Sequence, residues 1–446
     1  MAKVARGVAF PPINLCYLGA IAQKAGHTVQ IIDGEAEQLS CLEMLKRVRD
    51  FDPDLIGMTA TTSFFDTVSD YAKIFKSELS SKIVVGGPHI TYFKEQVFYS
   101  WFDYFVIGHC ENTFASFLKA PHKTPGIIYR EHGKPVFTGN ALGTPNLNAL
   151  PCPLRASLRH ERYQMHIRGR LKRYTAMMMS RGCPFKCVFC STSIYGNKVT
   201  KRSVDSVIEE IQDILSMGIE HIYFTDDTLT LDRQFILDVC KAILHYNLKF
   251  TWESSTRANL VDSGLLGTMR EAGCVRLSFG LESADEGVRD IIRKNVPLSA
   301  YKRANRLTNR HDIDTVNSVM LGLPGDTRET IHKTIEYVRE CREIKHATFG
   351  IAIPYPGSEM WDMAVKGEHG LKLLTKDFSK YQRYGSAVME VNGMKPQELL
   401  DLQKYGLMRI YFVWWRILPV IQRFGIKALI KPFFSSLWGV IKKLDK

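Results

Sequence analysis

Residues 178–194 read MMSRGCPFKCVFCSTSI and contain three closely spaced cysteines, Cys183, Cys187 and Cys190. The apolar run from Ala176 to Met179 precedes them and predicts a short buried strand. We therefore expect the thiols on a loop at the carboxyl end of a strand, where α/β barrels carry their chemistry.

This spacing favours an iron–sulfur cluster, because thiolates are the usual ligands of such clusters and a four-iron cluster normally takes four of them. Three ligands would leave one iron open to a small molecule, as open zinc sites are. The alternatives are a structural zinc site or three unrelated buried thiols. Zinc sites tend to use two C-x2-C pairs or histidines. No second pair lies nearby, and the nearest upstream histidine, His166, has no partner at ligand spacing.

The same loop resembles the C-x3-C-x-aromatic-C signature of the radical S-adenosylmethionine (SAM) superfamily, with Cys183, Cys187, Phe189 and Cys190 at the matching positions. The resemblance implies a [4Fe-4S] cluster on the three cysteines and a SAM molecule on the fourth iron, with Phe189 beside the cofactor. It also implies reductive cleavage of SAM to a 5′-deoxyadenosyl radical. In such enzymes the protein positions and shields the cofactors that carry the chemistry.

Composition describes an ordinary globular chain of 446 residues, with 45% hydrophobic and 24% charged residues, long enough for two or three domains. The other seven cysteines are scattered, which fits a reducing cytosol with one metal site. The start, MAKVARGVAFPP, has no apolar signal-peptide core. The net charge of +13 would suit nucleic acid, an anionic membrane or acidic substrates. No RNA-binding module is visible, so we expect no nucleic-acid partner.

Residues 1–125 alternate strand and helix patterns and predict a doubly wound parallel sheet, whose ligands bind at the strands' carboxyl ends. The predicted strands are Val29–Ile32, Asp54–Thr59, Lys82–Val85 and Tyr104–Ile107, and the predicted helices are Leu42–Val48 and Thr67–Leu79.

This region resembles the cobalamin-binding domain that precedes many radical SAM cores. The matching pieces are PPINLCYLGAIAQKAGHTVQIID, the Gly86-Gly87-Pro88-His89 turn and VIGHCENTF. The resemblance implies cobalamin as a further cofactor, with Gly86, Gly87, Pro88 and His89 at its site. The alternative is that the two glycines only make a tight turn. The chain departs from the pattern by lacking D-x-H-x-x-G, by a first strand that is missing or short, and by His109-Cys110 in place of an acidic pair.

Residues 126–173 are rich in Pro and Gly and predict a linker with one hairpin, Ile127–Tyr129 against Pro135–Thr138. Residues 174–365 repeat strand, loop and helix, which resembles the partial (β/α)6 barrel of radical SAM enzymes. The predicted strands are 174–180, 219–225, 249–254, 274–279, 314–321 and 347–353.

Polar residues follow these strands at the expected catalytic rim. By resemblance, Asp226 contacts the SAM amino group, Glu282 lies in the SAM pocket, and the G-L-P-G turn with Leu323 packs near the adenine. Asp226 could instead cap the helix that begins near Asp232. The SAM ribose and carboxylate need acceptors and a cation, which Glu253, Ser255 and Arg257 supply in our prediction.

Residues 366–446 lose the α/β pattern, and we predict a helical cap with helices over Tyr381–Met389 and Pro396–Arg409. The segment Arg409–Leu444 mixes Trp and Phe with Arg and Lys, and its charge-free runs are too short to span a bilayer. Basic, aromatic helices often lie on a membrane surface. We therefore expect either contact with the inner face of the membrane or a helix pair packed on the barrel, in a cytoplasmic protein.

The resemblance covers nearly the whole chain and is closest to cobalamin-dependent radical SAM enzymes. It implies methylation of an unactivated carbon in a small or lipid-like substrate, with electrons from an external donor such as flavodoxin or ferredoxin. One alternative is a radical SAM cyclisation, carbon–carbon coupling or rearrangement without cobalamin. The other is a non-catalytic iron–sulfur sensor, which would have no use for the polar residues at the strand ends.

Overall fold

The computed structural model describes residues 9–141 and 143–416. Its helices are α1 (Ile13–Lys24), α2 (Cys41–Phe51), α3 (Phe65–Glu78), α4 (Pro88–Phe93), α5 (Phe114–Lys119), α6 (Val204–Ser216), α7 (Arg233–His245), α8 (Ser263–Glu271), α9 (Glu286–Ile291), α10 (Leu298–Arg310), α11 (Arg328–Glu340), α12 (Glu359–Lys366) and α13 (Pro396–Tyr411). Its strands are β1 (Leu55–Thr59), β2 (Lys82–Gly86), β3 (Tyr104–Val106), β4 (Ile127–Glu131), β5 (Lys134–Phe137), β6 (Gln164–Ile167), β7 (Arg170–Met177), β8 (Ser180–Arg181), β9 (Thr200–Lys201), β10 (His221–Phe224), β11 (Thr251–Thr256), β12 (Cys274–Glu282), β13 (Asp314–Leu321), β14 (Ala347–Ile351), β15 (Leu371–Leu373) and β16 (Met389–Val391).

The larger sheet is a half-barrel in the order β14-β13-β12-β11-β10-β7-β6. Strands β7 and β10 to β14 pair in parallel, and β6 joins the edge as an antiparallel hairpin partner of β7. Between successive parallel strands runs a helical connection that covers the outer face, as the sequence predicted for six strand–helix units. The expected (β/α)6 barrel is confirmed.

Side chains alternate across each half-barrel strand, since successive residues of a strand point to opposite faces. One set packs against the helices and forms the main core, for example Trp252, Phe279 and Phe349. The residues between them face the hollow of the half-barrel, which we call the lumen, and some of these, such as Ser255, Ser278 and Thr348, are partly accessible.

The smaller sheet, β1-β2-β3-β4-β5, belongs to the N-terminal part of the chain. Strands β1, β2 and β3 are parallel, and the hairpin β4–β5 adds to β3 in antiparallel fashion. The hairpin that we predicted inside the 126–173 linker thus extends this sheet to Phe137. The described residues from 138 to 163 contain short 3-10 turns and no strand.

Two predicted elements are wrong. Val29–Ile32 forms no strand, and no backbone ladder to a neighbouring strand covers it among the described residues. Its apolar side chains are only partly buried, with Ile31 and Ile32 packed against core clusters, and such packing does not require a ladder partner. Tyr381–Met389 is an irregular segment that ends in β16 rather than a helix. The predicted helix Pro396–Arg409 is confirmed as α13, while most of the basic, aromatic segment Arg409–Leu444 lies outside the described residues.

Among the described residues, no helix is both long and apolar enough to cross a membrane.

Candidate functional site

The three cysteines lie on a loop whose two ends are held together. Strand β8 comes directly before the loop and pairs with β9 directly after it. Between them Gly182 has a positive φ of 99° and donates its N–H to Asp227 Oδ2 at 2.9 Å. A side chain at this position would strike the backbone of Lys198, so glycine is required for the loop to close.

Asp226 anchors the strand that leads into this loop. Its carboxylate accepts the N–H of Met179 at 3.2 Å and the N–H and hydroxyl of Ser180 at 2.6 and 2.5 Å. Burial raises the pKa of Asp226 to about 6, although these bonds favour its ionised form. It does not cap α7, because Asp232 fills that position by accepting the N–H of Phe235. The predicted contact of Asp226 with the SAM amino group stays a prediction.

The three thiols are not in disulfide bonds, are partly buried, and lie near hydroxyl and cationic groups. Cys183 Sγ lies 3.6 Å from Thr228 Oγ1, and Cys190 Sγ lies 3.1 Å from Thr192 Oγ1. Cys187 Sγ lies 3.9 Å from Arg257 Nη1. Arg257 therefore places positive charge beside one of the thiols of the loop.

Arg257, which we predicted as the cation for the SAM carboxylate, packs against the cysteine loop. Its guanidinium stacks on the Phe185 ring at 3.7 Å and donates to the Lys294 carbonyl. The Lys294 ammonium in turn pairs with Glu282 at 3.1 Å and lies 5.8 Å from the centre of the Phe189 ring. The structure thus brings together the cysteine loop and the predicted residues Phe189, Arg257 and Glu282, with Lys294 as a member that sequence reasoning missed.

The other predicted SAM residues lie at different depths. Ser255 faces the lumen near the strand end and is partly accessible. Glu253 lies two residues deeper and pairs with Arg276 at 2.8 Å. Leu323 is fully buried, and its backbone N–H donates to Asp326, so its predicted place near the adenine stays a prediction.

The G-L-P-G turn is held by a carboxylate that sequence reasoning missed. Asp326 accepts the backbone N–H groups of Gly322 and Leu323 at 3.0 and 2.9 Å, and the Thr330 hydroxyl at 2.8 Å. Burial raises the pKa of Asp326 to about 7. The acidic residue directly after the turn was the available signal.

A cavity of about 1120 Å³ separates the cysteine loop from the N-terminal sheet. This exceeds the usual range of small-ligand sites, roughly 300–1000 Å³. One wall contains Gly86, Gly87 and Pro88 after β2, and the opposite wall contains residues around β8 and the loop. At Gly87, whose φ is 112°, an added Cβ would lie 2.6 Å from the Ala60 carbonyl oxygen. The turn therefore needs glycine, as the alternative interpretation held, and it also lines the cavity.

A polar bridge crosses one end of this cavity. Arg181 of β8 donates to Glu111 at 2.6 Å, and its second amino group lies 3.4 Å from His109 Nδ1. His109 also stacks on the Tyr195 ring, with 4.9 Å between ring centroids. Since all four residues line the cavity, the N-terminal unit and the cysteine loop meet there.

His89 is the predicted cofactor residue that the structure places elsewhere. It is completely buried, stacks on Phe65 with ring centroids 4.2 Å apart, and packs against Phe93 and Phe378. Burial lowers the pKa of His89 to about 4. His89 does not line the cavity, whereas His109, which we had treated only as a departure from the pattern, does.

Comparison with known proteins agrees with this geometry. A family profile described as "Radical SAM superfamily" matches residues 177–338, and one described as "B12 binding domain" matches residues 3–118. An uncharacterized methyltransferase of Pyrococcus horikoshii is 32% identical over 98% of this chain and 93% of the relative. The chain belongs to the radical SAM superfamily. Within it, this protein is a member with a B12-binding domain.

Two further proteins, one compared by sequence and one by structure, are similar to this radical SAM protein. An anaerobic magnesium-protoporphyrin IX monomethyl ester cyclase of Cereibacter sphaeroides is 26% identical over 90% of this chain and 66% of its own length. The solved structure of a radical S-adenosylmethionine methyltransferase, TsrM from Kitasatospora setae, shares the fold with a TM-score of 0.72. It is 16% identical and covers 92% of this chain and 87% of its own.

Membership makes the protein an enzyme that uses a [4Fe-4S] cluster and SAM, with cobalamin as the cofactor of its B12-binding domain. The residues present fit these groups. Three reduced cysteines share one loop beside Arg257, and the cavity is large enough for a bulky ring bounded by backbone on one side. In the described part of the chain, no three His, Cys, Asp or Glu side chains converge to hold one metal ion. A cluster does not need this, because each cysteine binds a different iron.

Proposed function

We propose that this protein transfers a methyl group to an unactivated carbon of a small molecule in a cobalamin-dependent radical SAM reaction. The observation that carries the proposal is the shared cavity, which borders the cysteine loop on one side and the glycine turn of the N-terminal unit on the other. A substrate between a radical source and a methyl carrier needs access to both. When bound, the cofactors supply the hydrogen-abstracting radical and the methyl group.

The protein's own residues position these groups and keep water away. Cys183, Cys187 and Cys190 bind the cluster in this proposal, and Arg257 with Lys294 provides positive charge beside it. Asp226, Glu253, Ser255, Glu282, Leu323 and Phe189 form the proposed SAM site. Gly86, Gly87 and Pro88 offer backbone to the cobalamin ring. Electrons come from an external donor such as flavodoxin or ferredoxin.

The alternative without cobalamin, a radical cyclisation or rearrangement, is not favoured. The match to a B12-binding domain and the similarity to methyltransferases both support the cobalamin-dependent reaction.

The test is anaerobic reconstitution of the full chain with iron, sulfide and hydroxocobalamin. We expect 5′-deoxyadenosine from SAM under dithionite, and a cobalamin spectrum that persists after desalting. Absence of SAM cleavage would contradict the radical SAM reaction. SAM cleavage without retained cobalamin would contradict the cobalamin-dependent reaction and support the cobalamin-independent alternative.

We also propose peripheral contact with the inner face of the membrane near the end of α13. The support is a run of exposed apolar side chains, with Met408 54%, Phe412 60% and Trp414 68% accessible. Co-sedimentation with anionic phospholipid vesicles tests it. We expect Phe412→Ser with Trp414→Ser to lose vesicle binding and Leu42→Ser, which removes an apolar residue 76% exposed elsewhere, to keep it. Equal binding of all three proteins would refute the contact.

A further inference from the structure

The lumen of the half-barrel carries small hydroxyl side chains on part of its wall. Hydroxyl residues from neighbouring strands are adjacent there, since Ser255 pairs in register with Ser278 and Ser318 with Thr348. All four are partly accessible, and no hydrogen bond from their hydroxyls to another described residue is found. Such a wall suits a ligand with hydrogen-bonding groups and offers little to a hydrocarbon.

These residues face the lumen because their strand neighbours face the helices. On β13, Thr315 and Asn317 bond to Asn305 of α10. On β14, Phe349 lies against Gly406 of α13. Ser318 directly follows Asn317, and Thr348 directly precedes Phe349. Both therefore point to the opposite face.

One cation reaches into this compartment from outside the barrel strands. Arg383 lies in the irregular segment before β16, and its carbonyl accepts the N–H of Ile351 at 2.8 Å and the amide of Gln403 at 3.1 Å. These bonds fix Arg383 at the carboxyl end of β14, on the rim where the cysteine loop also lies.

The guanidinium of Arg383 then lies over Gly350. A Cβ added at Gly350 would be 3.1 Å from Arg383 Nε and 3.2 Å from Nη2, so the missing side chain makes room for the cation. Within residues 9–141 and 143–416 we find no hydrogen bond or ion pair from this guanidinium, and its Nε is buried and unsatisfied. Leaving a buried charged donor unpaired costs more than an ordinary hydrogen bond contributes.

We propose that Arg383 binds an anionic group, a carboxylate or phosphate, of the substrate inside the half-barrel. Arginine suits this role because its planar fork matches both anions in a bidentate way. The inference rests on the proposed function and refines it, because it selects a polar, anionic small molecule over a lipid-like substrate. The SAM carboxylate is the other source of the same chemistry, and the experiment must separate the two.

The experiment uses reconstituted holoenzyme and measures two affinities by isothermal titration calorimetry: SAM alone, then inorganic phosphate and acetate with saturating SAM. The variants are Arg383→Met, Gly350→Ala, and Arg303→Met as a control on the exposed face of α10. We expect wild type and the control to bind at least one of the two anions. Arg383→Met should weaken that binding by at least about tenfold, because it removes at least one charge-assisted hydrogen bond to the anion. Gly350→Ala should weaken anion binding less than Arg383→Met does. The SAM affinity of both variants should stay within about twofold of wild type.

Three results would overturn the proposal: neither anion binds wild type, Arg383→Met binds the anion as well as wild type, or Arg383→Met loses SAM affinity instead. The last would assign Arg383 to the SAM carboxylate. A separate measurement of 5′-deoxyadenosine with wild type tells whether the proposed function itself has failed.

Discussion

The half-barrel and the N-terminal sheet are both parallel α/β units, but their ladders differ in extent. Strands β12 and β13 share six register positions, whereas β2 and β3 share two. The half-barrel has a large continuous core, and the N-terminal unit is tied to it by specific bonds. Tyr163 donates to Asp33 at 2.6 Å and Tyr174 to the Ala9 carbonyl at 2.5 Å. The smaller unit therefore depends on the larger one for its position.

This difference predicts separate cofactor-binding roles for the two units, which mutations can test. The half-barrel should hold the cluster and SAM on its own residues, and the N-terminal unit should hold cobalamin only while the contacts between the two units are intact.

The largest expected effect is on the cluster. Replacing Cys183, Cys187 or Cys190 with Ala removes one of three thiolates, so bound iron and SAM cleavage should fall below detection, measured as iron content and 5′-deoxyadenosine. Cys240→Ala, in the core on α7, and Cys341→Ala, directly after α11, should keep both the bound iron and the SAM cleavage. Normal SAM cleavage in any of the three loop variants would refute the assignment.

A smaller effect is expected at the bridge between the units. Arg181→Met leaves Glu111 largely buried without its partner, which costs roughly 3–5 kcal/mol for a buried pair. We expect it to lower the retention of hydroxocobalamin after desalting by about tenfold or more, with a folded, iron-loaded half-barrel.

The matched control for the bridge is Arg49→Met, since the Arg49–Glu78 pair lies on the surface of the same N-terminal unit, with half of each side chain exposed. Exposed pairs contribute about 0–1 kcal/mol, so cobalamin retention should not change. Equal retention in Arg181→Met and wild type would show that the two units meet without help from this bridge.

The last prediction concerns the pH dependence of stability rather than cofactor binding. Asp326 has its pKa raised to about 7 in the folded protein, so the native state holds a proton that the unfolded chain releases near pH 4. The free energy of unfolding should therefore fall as pH rises from about 4 to about 7. Asp326→Asn keeps an acceptor for Gly322 and Leu323 and should flatten this slope.

Thermal unfolding is measured at pH values from about 4.5 to about 7.5. This range covers most of the window of roughly pH 4 to 7 over which the free energy of unfolding should fall. An identical slope in wild type and Asp326→Asn would mean that another group is responsible.

Much of this protein was determined by local sequence. The spacing of Cys183, Cys187 and Cys190 indicated the cluster loop, and alternating strand and helix patterns indicated the half-barrel. Both signals are local, because ligand spacing and apolar periodicity are properties of a few consecutive residues.

Tertiary structure decided what depends on how separate segments pack. It buried His89 among aromatic rings, turned His109 toward the cavity, joined Arg181 to Glu111 across 70 residues, and laid Arg383 over Gly350. Among the described residues it also left Val29–Ile32 without a ladder, because an apolar run cannot specify a partner strand. Such contacts are set by the relative orientation of two packed units, which no local pattern encodes.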